Sequence, residues 1–419
     1  VSGYKSIVDR QTVEIAPLTV LAGANSSGKS SMMQPLLLLK QTLEVGYDPG
    51  AIMLSGPCLA FSLAEELLSS VQEGSRADSF SVELHWSPRD DGIRVCYKDV
   101  PGEGLSVHDM SLMDGPREWT PLPGMSTEET LSSLPPKERQ LANYAVDEMK
   151  AQLEVRCNRC FLDVLAKSDS AHLLPFGISL LAQYHISRVI YLPGLRGNPA
   201  RAYPVTGVSS FFPGRFGEYT ASVLAHWQRT GDDRLEKVCH DLSRLGLASR
   251  VAPKRVNDVE VQLRVTRLPS SLSSDEYVSV ADVGLGVSQA LPVIVALHAA
   301  DPGQMVYLER PEIHLHPRAQ SKLVEVLADA ARRGVRIVVE THSHLVMIGI
   351  QTLVAEGTLS SNHVKLHWFI RDSSGRTRIS TADLDAHGSV GEWPEDFGDV
   401  LMDAQGRYID AASSERGGH

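Results

Sequence analysis

Residues Gly23-Ala24-Asn25-Ser26-Ser27-Gly28-Lys29-Ser30 satisfy the spacing G-x-x-x-x-G-K-[ST], which suits the holding of a polyphosphate. Gly23 and Gly28 let backbone N–H groups close around phosphate oxygens, and a helix beginning there adds its positive end. Lys29 brings a point charge to the β- and γ-phosphates. Ser30, with Ser31 beside it, brings a hydroxyl for Mg²⁺. A chance Gly/Ser-rich turn is the plain alternative. The apolar run Leu18-Thr19-Val20-Leu21-Ala22 before the motif and the apolar helical pattern after it favour the phosphate loop.

Two further sets of residues lie far downstream. Met305-Val306-Tyr307-Leu308 reads as a strand and runs into Glu309-Arg310-Pro311-Glu312-Ile313-His314-Leu315-His316-Pro317. A carboxylate at a strand end can order the Mg²⁺ shell, and a second one nearby can orient an attacking water. Val335-Arg336-Ile337-Val338-Val339 is another strand, ending in Glu340-Thr341-His342-Ser343-His344. His342 at that position can reach a γ-phosphate. Between these sets and the loop, Gly284-Leu285-Gly286-Val287-Ser288 opens an apolar helix over 290–300. It reads either as an ordinary strand-to-helix turn or as a second phosphate-facing helix start, serving another protomer because the first cradle is already complete.

These residues must be positioned by an α/β framework. Residues 1–100 are expected to form one part of it, with antiparallel strands at 5–7 and 12–15 and longer ones at 80–86 and 93–97. Residues 101–185 read as an insertion: a Gly/Pro/Ser-rich loop over 101–125, then mostly helix over 127–167, including 142–165, and a further helix over 176–185. Residues 186–419 complete the framework, with a helix over 319–333 between the two acidic strands. Pro35 falls on the second turn of the first helix and is expected to tilt it.

The rest of the composition excludes more than it identifies. The chain has 419 residues, 42% hydrophobic and 22% charged, which fits a globular protein with ample core. Lys plus Arg number 40 against 51 Asp plus Glu, so nucleic acid would need a local basic groove. No run reaches membrane-spanning length, and a cytoplasmic setting is expected. The five cysteines suit a reducing compartment. Cys157-Asn158-Arg159-Cys160 lacks a second pair, so buried helix cysteines are favoured over zinc. For His314 and His316 the dimer contact implied by the resemblance given below is favoured over a metal, and the charge runs read as solvated faces. Arg196 and Arg201 are either core-pairing arginines or part of a phosphate- or nucleic-acid-facing edge.

The order phosphate loop, glycine-rich signature, strand-Glu and strand-Thr-His resembles the ABC-type ATPase head shared by SMC, RecF and OLD-like proteins. Glu-x-Pro-Glu-x-His-Leu-His-Pro and Glu-Thr-His-Ser resemble, more narrowly, the bacterial AAA-type branch of OLD-like ATPases associated with antiphage defence. Tyr191-Leu192-Pro193-Gly194-Leu195-Arg196, Pro199-Ala200-Arg201-Ala202-Tyr203 and the Trp393-Pro394-Glu395-Asp396-Phe397 stretch are similar to further elements of that branch. Pro193 and Gly194 stand in swapped order.

The resemblance implies an ATPase using ATP and Mg²⁺, with Ser30 and Glu309 at the metal and His342 as the switch. Gly284, Gly286 and Ser288 would meet the nucleotide of a facing subunit in a homodimer or higher oligomer. It also implies control of a separate effector, such as a nuclease, since the roughly 75 residues after His344 hold no clustered acidic triad. Direct action on DNA in repair and a nucleotide-stabilised scaffold are the alternatives. Two departures bear on the chemistry. Arg310 occupies the place of the catalytic Glu and cannot act as a base, leaving Glu312 as the nearest substitute or hydrolysis slow. Gly284 occupies the place of the signature Ser, His316 that of a dimer-contacting Asp, and no Gln loop is evident.

Overall fold

The computed structural model describes residues 1–72, 75–86, 91–168, 171–175, 179–266, 276–391 and 406–407. Its centre is a six-stranded mixed sheet in the order Ile190–Leu192, Met305–Glu309, Arg336–Glu340, Leu18–Gly23, Val364–Arg371, Thr377–Ala382. The first five strands are parallel and the last is antiparallel. The fold is α/β. The phosphate-loop strand thus has the Glu340 strand on one side, with the Glu309 strand beyond it.

Strand period explains the layering. Leu18, Val20, Ala22, Val306, Leu308, Ile337 and Val339 enter one core, packed by helices Leu285–Ala299, Pro317–Arg332 and His344–Ala355. The alternate residues Leu21, Tyr307 and Val338 face the opposite way, onto Met32, Met33 and Leu37 of helix Lys29–Glu44. Both faces are covered, so these strands read as continuous apolar runs. Pro35 lies inside Lys29–Glu44, and its ring is buried. The C-terminal half of that helix is fixed by fully buried Lys40, whose ammonium pairs with Glu44 and donates to the Phe212 carbonyl.

The N-terminal part differs from the expected strands. The segment 5–7 makes a tight turn, with Lys5 at φ 49° and a Tyr4–Ile7 bridge, and 12–15 forms no ladder. The antiparallel sheet there is Ser79–Trp86, Asp91–Val100, Gly104–Asp114 and Arg117–Trp119. It takes up two strands from the span expected to be loop, because Gly102 and Gly104 at positive φ turn the chain into a hairpin.

Residues 101–185, expected as an insertion, hold helices Thr127–Ser132, Pro136–Met149 and Leu180–Ser187, but 142–165 is not one helix. Lys150 ends the second helix in the left-handed conformation, and strands Gln152–Asn158 and Phe161–Ser168 follow. Ala142, Val146 and Met149 keep their helical spacing within Pro136–Met149, but Leu153 continues it only by coincidence, since it already belongs to the alternation Leu153, Val155 in, Glu154, Arg156 out. The Cys-x-x-Cys stretch is consequently the hairpin turn, with Cys157 exposed and Cys160 buried. Glu392, Glu395, Asp396 and the Trp393–Phe397 stretch lie outside the described residues, as does residue 176 at the start of the expected helix.

Candidate nucleotide site

The cradle forms where the central strand meets its helix. Gly23 has φ 140° and Gly28 φ 105°, conformations L side chains rarely adopt. A Cβ at Gly23 would strike the Phe369 carbonyl, and one at Gly28 the Thr377 hydroxyl. Thr377 in turn donates to the Ser27 carbonyl at 2.8 Å, so the antiparallel edge strand braces the loop from behind. No motif in the sequence marks Phe369 or Thr377 for that task.

Ser26, Ser27, Gly28, Lys29, Ser30, Ser31, Arg310, Glu340, His342 and Arg371 line one cleft. Lys29 is buried, its ammonium donating to the carbonyls of Gly23 at 3.0 Å and Ala24 at 2.7 Å. Burial, opposed by Glu340 and reinforced by Arg310, brings its pKa down to about 8. Ser30 donates its hydroxyl to Glu340, with both carboxylate oxygens 3.0 Å away. Burial pushes the Glu340 carboxyl above its usual range, helped by Glu309 and countered by Ser30, Lys29 and Tyr307.

Glu309, expected at the metal, stands directly beside Glu340 in parallel register but is held elsewhere. Its oxygens accept from the Tyr191 hydroxyl and the Gly194 amide, each at 3.0 Å. Tyr307 joins the two carboxylates, donating to Glu340 at 3.1 Å with Glu309 at 3.3 Å. Arg196 completes the clamp on the main chain, reaching the carbonyls of Glu309 at 2.9 Å and Arg310 at 3.2 Å. The Tyr191–Arg196 stretch therefore wraps the Glu309 strand end, which decides between the two readings of Arg196. Arg201 instead makes an exposed fork to Asp282.

Arg310 turns toward the cradle. Its backbone is left-handed at φ 45°, and its guanidinium donates to Asn25 Oδ1 at 3.1 Å and lies 3.0 Å from His342 Nε2. Burial, with Lys29 and Arg310 adding to it, lowers the His342 pKa to about 4, so the imidazole is neutral near pH 7. Glu312 is buried beneath this layer: Oε1 accepts from the Thr341 hydroxyl at 2.6 Å and faces the His342 amide at 3.4 Å. Its Oε2 has no hydrogen-bond partner among the described residues. Glu312 is not among the cleft-lining side chains, and it holds the strand end that carries His342.

The signature lies apart. Gly284 caps helix Leu285–Ala299, Leu285 is 42% exposed, and Ser288 donates back to the Leu285 carbonyl at 3.0 Å. Neither Gly284, Gly286 nor Ser288 lines the cleft of its own chain. His314 and His316 are exposed nearby in sequence, and His316 caps helix Pro317–Arg332 with its ring nitrogen. No cluster of three metal-ligating side chains occurs among the described residues.

Residues 253–348 match an AAA domain. The matching family is described as "AAA domain, putative AbiEii toxin, Type IV TA system". That span takes in the glycine-led helix and both acidic strands but not the phosphate loop. No curated protein matches the chain. Among solved structures, an Smc head bound to the C-winged helix domain of ScpA aligns at 12% identity and TM-score 0.49, over 91% of this chain and 96% of that one. The SMC head domain from Thermotoga maritima aligns at 10% and 0.38, over 90% and 95%. An Smc head with an extended coiled coil, bound to a ScpA domain from Pyrococcus furiosus, aligns at 9% and 0.46, over 91% and 94%. At such scores the structural likenesses carry no argument. The AAA-domain match supports an ATPase at the level of family.

Proposed function

We propose that the chain is an ABC-type ATPase of slow turnover that pairs around ATP and controls a separate effector, in antiphage defence. The observation that carries this reading is the cleft itself. A glycine-built loop, a buried lysine, a serine hydroxyl against a carboxylate and a neutral histidine converge at the ends of parallel strands. The donor set fits a Mg²⁺-polyphosphate. Ser30 and Glu340 would hold the metal, with Glu309 one strand away in reserve, and the ion would neutralise phosphate charge.

The chain's own residues then divide the work. The amides of 23–30 and the helix start orient phosphates, and Lys29 leaves its loop carbonyls to meet them. Neutral His342 can donate its one ring N–H to an oxygen of the terminal phosphate. A carboxylate base is missing from the cleft wall where Arg310 stands, which favours slow turnover and gives the scaffold reading its weight. Gly284 and Gly286, exposed or half-exposed on a helix start, suit the nucleotide of a facing protomer. The "TA system" wording of the matched family supports a partner-controlled role.

Sedimentation with and without ATP-Mg²⁺, beside steady-state phosphate release, tests the proposal. ATP-dependent pairing with turnover well below one per second supports it; a molecule indifferent to ATP in both assays contradicts it.

A further inference from the structure

We propose that Arg310 grips the terminal phosphate of a nucleoside triphosphate and lets the cradle tell a triphosphate from a diphosphate. The proposal rests on the nucleotide reading of the cleft and adds a role to a residue that the sequence marks only as a missing base.

Three observations support it. First, Arg310 has a full charge and no carboxylate: its side-chain partners are Asn25 Oδ1 and His342 Nε2, and no ion pair joins it among the described residues. A guanidinium offers five donors, of which these two contacts leave most free. Second, the cleft is over-supplied with cations. Lys29, Arg310 and Arg371 line it, against the one carboxylate of Glu340. An anion of several charges is the ligand that balances this wall, and each added phosphate improves the match. Third, the placement is held rather than adopted by chance. Arg310 has a left-handed backbone, uncommon for a side chain of this size, pinned by its amide to the Glu340 carbonyl at 2.7 Å. Its own carbonyl accepts from Ile313 at 3.1 Å and from Arg196 at 3.2 Å. Strain over-determined by surrounding bonds is characteristic of a working site.

The position also selects which phosphate. Phosphates seated on the helix start meet the amides of 28–31 and Lys29. Arg310 is tied instead to Asn25, on the exposed side of the loop, and to His342 on the next strand end. The group reached from there is the one beyond the helix-bound phosphates. Its negative charge would draw the guanidinium fork while Asn25 and His342 keep the fork aimed.

The test compares ATP-Mg²⁺ and ADP-Mg²⁺ binding by calorimetry in the full chain and in Arg310→Ala, Arg310→Lys and Arg310→Gln. Arg310→Ala and Arg310→Gln should weaken ATP by roughly ten- to a hundredfold, the range for losing a charged hydrogen-bonding partner, and ADP less than about twofold. Arg310→Lys, which keeps the charge but not the fork, should fall between. Thermal midpoints close to that of the parent show that the variants are folded, and Arg310→Gln stands in if the alanine variant is not. Equal losses for both nucleotides, or none, overturn the proposal. A parent chain that binds neither nucleotide overturns the cradle reading, and this proposal with it.

Discussion

The phosphate cradle and the glycine-led helix start are both built from glycines opening a helix, yet they are built differently. Around residues 23–30 the side chains are engaged within the chain: Gly28 is wedged under Thr377, Lys29 is bound to loop carbonyls, and Ser30 to Glu340. At Gly284 a Cβ would meet nothing within 4 Å, and Ser288 bonds only within its own helix turn. The first is a site complete within one chain. The second offers exposed backbone, which in the proposed reading a facing protomer would complete.

Removing the Glu340 charge should have the largest effect. Glu340→Gln takes away the carboxylate that faces Ser30, and Mg²⁺-dependent ATP binding should fall on the order of a hundredfold. Glu309→Gln should cost on the order of tenfold, because that carboxylate serves Tyr191 and Gly194. Calorimetry at matched Mg²⁺ separates them; the reverse order would return the metal to Glu309.

Alanine at the two helix-start glycines sharpens the contrast in stability. Gly28→Ala forces a Cβ into Thr377 at φ 105° and should cost about 1–3 kcal/mol. Gly284→Ala, at φ −58° in open space, should cost less, about 0.5–1 kcal/mol from the poorer N-cap alone. Chemical denaturation reads both. Gly286→Asp should leave ATP binding to the monomer within about twofold while blocking ATP-dependent pairing, since its charge would oppose a triphosphate. Sedimentation of that variant pairing as tightly as its parent would remove the signature turn from the interface.

The smallest expected effect is on pH. Burial leaves the free Lys29 ammonium with a pKa of about 8, and bound phosphates would raise it. Binding then takes up a proton above pH 8, so ATP affinity should be level from about pH 7 to 8 and decline as pH climbs further. Proton uptake measured by calorimetry in buffers of different ionisation enthalpy would show it. An affinity that rises above pH 8 has the wrong sign for a charged Lys29 at the phosphates.

What the sequence made legible follows from how local each signal is. The loop 23–30 and the strands ending at 309 and 340 are contiguous patterns and appear where their period places them, and the helices expected over 290–300 and 319–333 appear as Leu285–Ala299 and Pro317–Arg332. The clamp on Glu309 was not legible, because Tyr191, Gly194 and Arg196 reach it across more than a hundred residues through a parallel strand pairing. For the same reason the pairing of Glu340 with Ser30 is not legible in the sequence. Spacing cannot say which of two acidic strands abuts the central one, and the strand order does. In the insertion, a helical period ran by coincidence into an alternating one, and Lys150 in a left-handed cap was the boundary that composition did not announce.

The central claim is that residues 23–31 hold the phosphates of ATP, and one titration tests it most directly. ATP-Mg²⁺ is titrated calorimetrically into the parent chain and into Lys29→Ala, whose thermal midpoint is checked first. The cradle predicts saturable binding to the parent and a loss on the order of a hundredfold or more in the variant. Unchanged affinity in Lys29→Ala would contradict it.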